Sequence, residues 1–415
     1  MNGSEPYANA APGEPPAILS PVVEPASQIS DERPIAPVEL LWDLVFVFAI
    51  TQVTTLLWRE QTWAGFGRAM LVLALVWWAW SAFVWAANAH EATSPTLRAC
   101  LLVSSVSIFV TGLSIPHAFG GEGTLFAVSY AIVRFLHLAL YADASRRGSA
   151  SWSSMVGFVV TIVIGMALLI AGSFATGSAR VILWVLAAAI DYAGPAWLTR
   201  ERLRGLQHVV VAHFAERYSQ FVIICLGESI VAIGVGALGP SAERSLTAAL
   251  VVAVAIGMVI TVAMWWTYFE GFAEAAAEEL RRHDDPVLAA ADAYSYLHLV
   301  IVAGIITFAV GVRVLTRDAV ASPLPGPARL ALCAGVALYL VGNAAFALRM
   351  FHHLEYGKLV VAGALLVLYA VGGHLAAWAL AGAVAVLLCA LCAAESEAVR
   401  RVFRDSVRET STSVG

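Results

Sequence analysis

The chain has 415 residues, 60% of them apolar and only 13% charged, with a formal net charge of -5. Soluble domains carry roughly a quarter charged residues, so this composition excludes water as the main solvent. Its single lysine, Lys358, stands among arginines that form no broad basic face, so nucleic acid is excluded as a partner. Cys100, Cys225, Cys333, Cys389 and Cys392 all sit inside apolar blocks with no CxxC or Cys/His pattern. Neither a metal, a cofactor nor a disulfide framework is expected.

Residues 1–37 are rich in Pro, Ala and Glu and lack a basic segment followed by an apolar core. They read as a disordered tail without a cleavable signal peptide, which leaves the first apolar helix as the insertion signal. Beyond it the apolar residues form blocks of about 17 to 24, long enough for a helix to cross roughly 30 Å of hydrocarbon. Blocks such as AMLVLALVWWAW do not alternate apolar with polar residues, which excludes a membrane β-barrel.

The predicted helices cover 38–58, 69–89, 99–115, 125–141, 155–174 and 181–198, then 214–237, 248–269, 293–315, 330–348, 359–371 and 375–391. The fold class is therefore all-α, a polytopic transmembrane bundle of about twelve helices. The eleventh helix is short, and only Gly372, Gly373 and His374 separate it from the twelfth, so a re-entrant pair is the alternative there. Alternate loops place sixteen arginines and lysines on the side of the N-terminus against seven on the other. Basic loops are retained in the cytoplasm, so both termini are expected there, in the plasma membrane.

The start of the first helix, ELLWDLVFVFAITQV, can be laid on that of the seventh, ERYSQFVIICLGESI, with Glu39 on Glu216, Asp43 on Gln220 and Gln52 on Ser229. Trp77 and Trp78 then fall opposite Trp265 and Trp266. This suggests a 6+6 tandem repeat, with halves at 38–200 and 201–395 and a cytoplasmic tail at 396–415. Halves of six helices share one orientation.

An ionisable side chain inside a bilayer costs a few kcal/mol unless protein or water receives it, so each one marks a candidate site. Glu39 and Asp43, four residues apart, share one helix face, with Gln52 about two and a half turns deeper. Such a pair could bind a cation or pass protons; alternatively Glu39 is a helix-start acid and Asp43 the partner of an arginine elsewhere. The seventh helix carries Glu216, Arg217 and, near mid-membrane, Glu228. Arg134 is the expected ion-pair partner of Glu228, with His137 one turn along on the same face. Asp191 reads as interfacial, and the acidic stretch 274–285 as a solvated loop. His298 reads as a packed, hydrogen-bonded histidine, and Trp77, Trp78 and Trp80 as core.

At three stretches, PVELLWDLVFVFAITQVTTLL (37–57), AERYSQFVIICLGESIVAIGVGA (215–237) and DAYSYLHLVIVAGI (292–305), the chain resembles the bacterial low-temperature-requirement protein A family, LtrA. The resemblance spans nearly everything after the tail. It implies a multi-pass membrane protein and places the family's polar signature on Glu39, Asp43, Gln52, Glu216, Arg217, Gly227, Glu228 and His298. Ser219 and Gln220 depart from the apolar or glycine residues expected after the Glu-Arg pair. The resemblance supplies no biochemical activity.

Three functions fit these residues. The first is a secondary transporter or ion/proton pathway for a small solute or ion, built at the interface of the halves. The second is a non-transporting, lipid-interacting factor for cold or envelope adaptation. The third is an intramembrane enzyme acting on a lipid-borne substrate, for which no known catalytic motif is present.

Overall fold

The computed structural model describes residues 35–88, 90, 94–146, 152–194, 210–239, 245–317 and 322–412. The helices follow in the order α1 (Pro37–Arg59), α2 (Trp63–Asn88), α3 (Pro95–Ser114), α4 (Gly123–Arg146), α5 (Trp152–Phe174), α6 (Gly177–Ala193) and α7 (Val211–Leu238). Then come α8 (Ala248–Phe269), α9 (Phe272–Arg282), α10 (Pro286–Arg317), α11 (Gly326–Phe351), α12 (Tyr356–Val371) and α13 (Ala377–Thr412). Among the described residues eleven segments are long and apolar enough to cross a membrane. The 17-residue α6, about 26 Å at helical rise, is shorter and is not among these eleven. The predicted tail falls almost wholly outside the described residues.

Local chemistry sets several helix starts. The side chains of Ser94, Thr247 and Asp285 accept from Leu97 N, Leu250 N and Leu288 N, capping α3, α8 and α10. Gly271, at φ 81°, turns the chain sharply between α8 and α9. The stretch 274–285 is not the solvated loop that its charge suggested. Most of it is the amphipathic α9, which buries Ala276 and Leu280 and keeps its acids and arginines outward.

Helix α10 is the centre of the bundle, with every residue from Ile301 to Val312 buried. It packs on α11 through glycines: a Cβ on Gly304 would collide with the backbone of Tyr339, and one on Gly335 with that of Phe308. With no hydrophobic effect to join helices inside lipid, such backbone approach is what supplies the dispersion contact. Near its start α10 holds a π-helical stretch, Ala290–Leu297, and stretches of this kind recur at functional sites.

The pair α12 and α13 does not turn back halfway. Ala376, between them, bridges to Pro323 in the α10–α11 connection, whereas Lys358, at the start of α12, meets Glu395, far along α13, at 3.7 Å. Both helices therefore run between the same two ends of the bundle, and each is among the segments long and apolar enough to cross a membrane. On the opposite face Arg180 donates to the carbonyls of Ala118, Gly120, Ser173 and Ala175, tying the α3–α4 and α5–α6 connections together. The tryptophans aligned between the halves differ in setting: Trp77 is fully buried, whereas Trp265 and Trp266 face outward.

Substituting Gly304→Leu should force α10 and α11 apart and lower stability by roughly 3 kcal/mol or more, beyond the ordinary overpacking range. Thermal unfolding in detergent tests this; a melting temperature equal to wild type would refute the glycine contact.

Candidate functional site

Glu39 and Asp43 are both buried, because α1 turns their shared face towards α7 and α2. From α7, Arg217 donates through Nη2 to Asp43 Oδ1 at 2.6 Å and brings Nη1 within 3.5 Å of Glu39 Oε1. One turn earlier on α7, His213 Nε2 lies 3.1 Å from Glu39 Oε2, which also accepts from Ala36 N at the start of α1. From α2, Trp80 Nε1 donates to Asp43 Oδ1 at 2.7 Å. Three helices thus converge on two carboxylates that share one guanidinium.

A hydroxyl network adjoins this cluster. Tyr218 Oη meets Ser81 Oγ at 2.6 Å and Ser295 Oγ at 3.0 Å, while Trp85 Nε1 donates to Ser295 Oγ and Trp77 Nε1 to Ser295 O. Ser295 belongs to the π-helical stretch of α10. Its neighbour His298 is buried, meets Tyr268 Oη at 2.7 Å and stacks on Tyr294. It is the packed, hydrogen-bonded histidine expected.

Glu228 lies deeper in the same seam between α1 and α7. Its Oε2 accepts from Thr51 Oγ1 at 2.6 Å. The contacts 39 to 213, 43 to 217 and 51 to 228 advance together along both helices, so α1 and α7 run side by side in one direction. About 12 Å of helical rise separates Asp43 from Thr51 on α1.

The expected pair of Glu228 with Arg134 does not form. Arg134 Nη2 instead donates to Asp191 Oδ1 at 2.6 Å, with both side chains buried. Asp191 is thus an interior residue, not an interfacial one, and the pair welds α4 to α6. His137 stays beside Arg134, buried between the rings of Phe83 and Tyr141. Glu216 points outward and accepts from Gln220 Nε2 at 3.3 Å, so it does not join the interior cluster. Gln52 is half-buried beside Thr51, the residue that reaches Glu228. Arg217, Glu39 and Asp43 are brought together as one site; Arg134, His137 and Glu216 lie outside it.

His213, Ser81, Tyr218, Ser295 and Thr51 were not singled out by sequence, and Trp80 was read as core. His213 had a readable signal, standing four residues before Arg217 on one helix face. Tryptophans and hydroxyls had none, because in an apolar helix they serve packing just as well. No group of three or more metal-ligating side chains gathers among the described residues.

A family model described as "Bacterial low temperature requirement A protein (LtrA)" matches residues 35–393, most of the chain. The chain belongs to the LtrA family. An uncharacterized protein of Rhizobium meliloti (strain 1021), RA0937, is 31% identical over 279 residues, covering 66% of this chain and 67% of that protein. No solved structure matches. In this LtrA-family chain, of the residues carried over by resemblance, Glu39, Asp43 and Arg217 form the buried cluster and Glu228 lies deeper in the same seam. His298 sits against the ring of Tyr218, beside that cluster, and Glu216 faces outward.

Breaking a buried ion pair by removing one partner costs about 3–5 kcal/mol. Arg217→Met and Arg134→Met should each destabilise by that order in chemical denaturation. Arg134→Met combined with Glu228→Gln should be additive within roughly 0.5 kcal/mol, since the two residues share no contact. A coupling above about 1 kcal/mol would restore the Arg134–Glu228 pair.

Proposed function

We propose that this LtrA-family chain is a multi-pass plasma-membrane transporter or ion/proton pathway whose route follows the seam between α1 and α7. The observation that carries this reading is the placement of Asp43 and Glu228 along one seam between two parallel helices. Carboxylates are costly in hydrocarbon, and two of them spaced along a single helix interface are what a relay for protons or small cations requires. The groove between the helices supports the same reading: Asp43, Val47, Gln220 and Ile224 line it, and the stripe continues by one turn on each helix to Thr51 and Glu228.

In this reading α1 and α7 are the leading helices of two tandem halves, and the site sits where the halves meet, as in transporters built from parallel repeats. Arg217 serves as the fixed counter-charge. It holds Asp43 Oδ1 while Oδ2, which has no hydrogen-bond partner, remains the oxygen that takes and releases the cargo. The excess of basic residues on the N-terminal side orients the route, with the Asp43 end facing the cytoplasm.

Purified protein in proteoliposomes should pass protons, sodium or potassium down an imposed gradient, read by an entrapped indicator. Asp43→Asn and Glu228→Gln should each slow the flux by at least about a hundredfold if the carboxylates carry the transfer. Wild-type vesicles no faster than protein-free ones for each ion, or full flux in both variants, would overturn the proposal. The polar seam would then be a packing device of a non-transporting membrane protein.

A further inference from the structure

At the end of the seam opposite Asp43, α1 and α7 part. Val231 and Val235 of α7 stand three and seven residues beyond Glu228, on the face it turns to α1, yet they are 53% and 45% exposed. The opening lies within the crossing segment Val211–Leu238, so lipid tails reach it. Helix α10 forms its floor. A Cβ on Gly236 would collide with Arg313 O and Thr316 Oγ1, and Thr316 Oγ1 donates to Ile233 O at 3.2 Å, so α7 is held hard against α10 there. The side chain of Arg313 leaves on the other side, towards α1.

The guanidinium of Arg313 lies 4.4 Å from the ring centre of Trp58, in the last turn of α1, and that of Arg317, one turn further along α10, lies 5.1 Å from the same ring. Both arginines stand in the last turn and a half of the crossing segment Pro286–Arg317, which puts them at headgroup level. The ring face attracts their charge but leaves their N–H donors without oxygen acceptors. Arg313 is half-buried and, among the described residues, makes no hydrogen bond and no ion pair. Glu228 acts on it electrostatically without touching it, and Glu228 Oε2 is committed to Thr51. The planar donors of Arg313 therefore await an acceptor from outside the bundle. A phosphate oxygen pair fits that fork and its charge, and an alkyl chain attached to the phosphate would cover the two valines.

We propose that this end of the seam binds an anionic phospholipid of the adjoining leaflet, its phosphodiester on Arg313 and Arg317 beside Trp58 and one acyl chain over Val231 and Val235. The inference is independent of the transport reading, since it concerns the mouth of the seam and needs no movement through it. A zwitterionic lipid brings its own cation to the two arginines and loses the advantage of charge. A free phosphate meets the guanidinium but leaves the valines uncovered.

Native mass spectrometry of the full chain in micelles, titrated with phosphatidylglycerol, with phosphatidylcholine of the same acyl chains, or with inorganic phosphate, tests this. Saturable retention of phosphatidylglycerol is expected, at least about tenfold tighter than phosphatidylcholine and not displaced by inorganic phosphate. Arg313→Gln combined with Arg317→Gln should weaken it by about 10- to 100-fold, the loss of charge-assisted hydrogen bonds. Arg329→Gln, which removes an arginine stacked on Tyr369 at the same end of the bundle, should leave it unchanged. Val235→Trp, which fills the opening and keeps both arginines, should also weaken it, with thermal unfolding in lipid-free micelles near wild type. Equal retention of phosphatidylcholine, displacement by inorganic phosphate, or an equal loss in Arg329→Gln would overturn the assignment. If the double variant does not fold, Val235→Trp decides, and undiminished binding there overturns it as well.

Discussion

The guanidinium of Arg217, reaching from α7 to two carboxylates of α1, is the contact on which the arrangement of the bundle's interior depends. Neither Glu39 nor Asp43 could stay in this apolar interior by itself, since an isolated charge there costs several kcal/mol. Nor could Arg217. Each helix supplies what the other cannot hold alone, and only one rotation of α1 against α7 satisfies both. That rotation also brings Trp80 onto Asp43 and His213 onto Glu39, so the ion pair sets the register of α2 as well.

Buried charge elsewhere is distributed by the same rule into separate local settlements. Arg134 and Asp191 neutralise each other within the first half, and Arg180 is absorbed by four carbonyls at the opposite membrane face. Glu228 accepts a hydrogen bond from the Thr51 hydroxyl. Polar groups therefore divide into those that fasten helices and those with capacity left over. Asp43 belongs to both kinds, since one of its oxygens is committed and the other is not. Asp191 shows the same asymmetry, so what distinguishes the α1–α7 seam from the α4–α6 pair is that two carboxylates share one guanidinium there.

Much of this was legible in the chain. Crossing helices follow from long apolar blocks whose backbone must satisfy itself in lipid. Glu39 and Asp43 stood out because four-residue spacing is a local property of a helix. What misled was the choice of partner for Arg134. Asp191 was read as interfacial, which left Glu228 as the partner, and sequence offers no measure of which helix lies beside α4. The acidic segment 274–285 was misread for a related reason: its charge was evident, but the apolar face given by Ala276 and Leu280 matters only once a neighbour covers it.

The sequence by itself determined the membrane class, the helix order and the LtrA resemblance, because each depends on composition or on spacing within one helix. Only the tertiary structure decided that Arg217 serves Asp43, that Arg134 serves Asp191, and that Thr51 serves Glu228. Those pairings join residues 57 to 177 positions apart, and inside lipid every such choice is settled by which helix surfaces fit closely enough to exclude the tails.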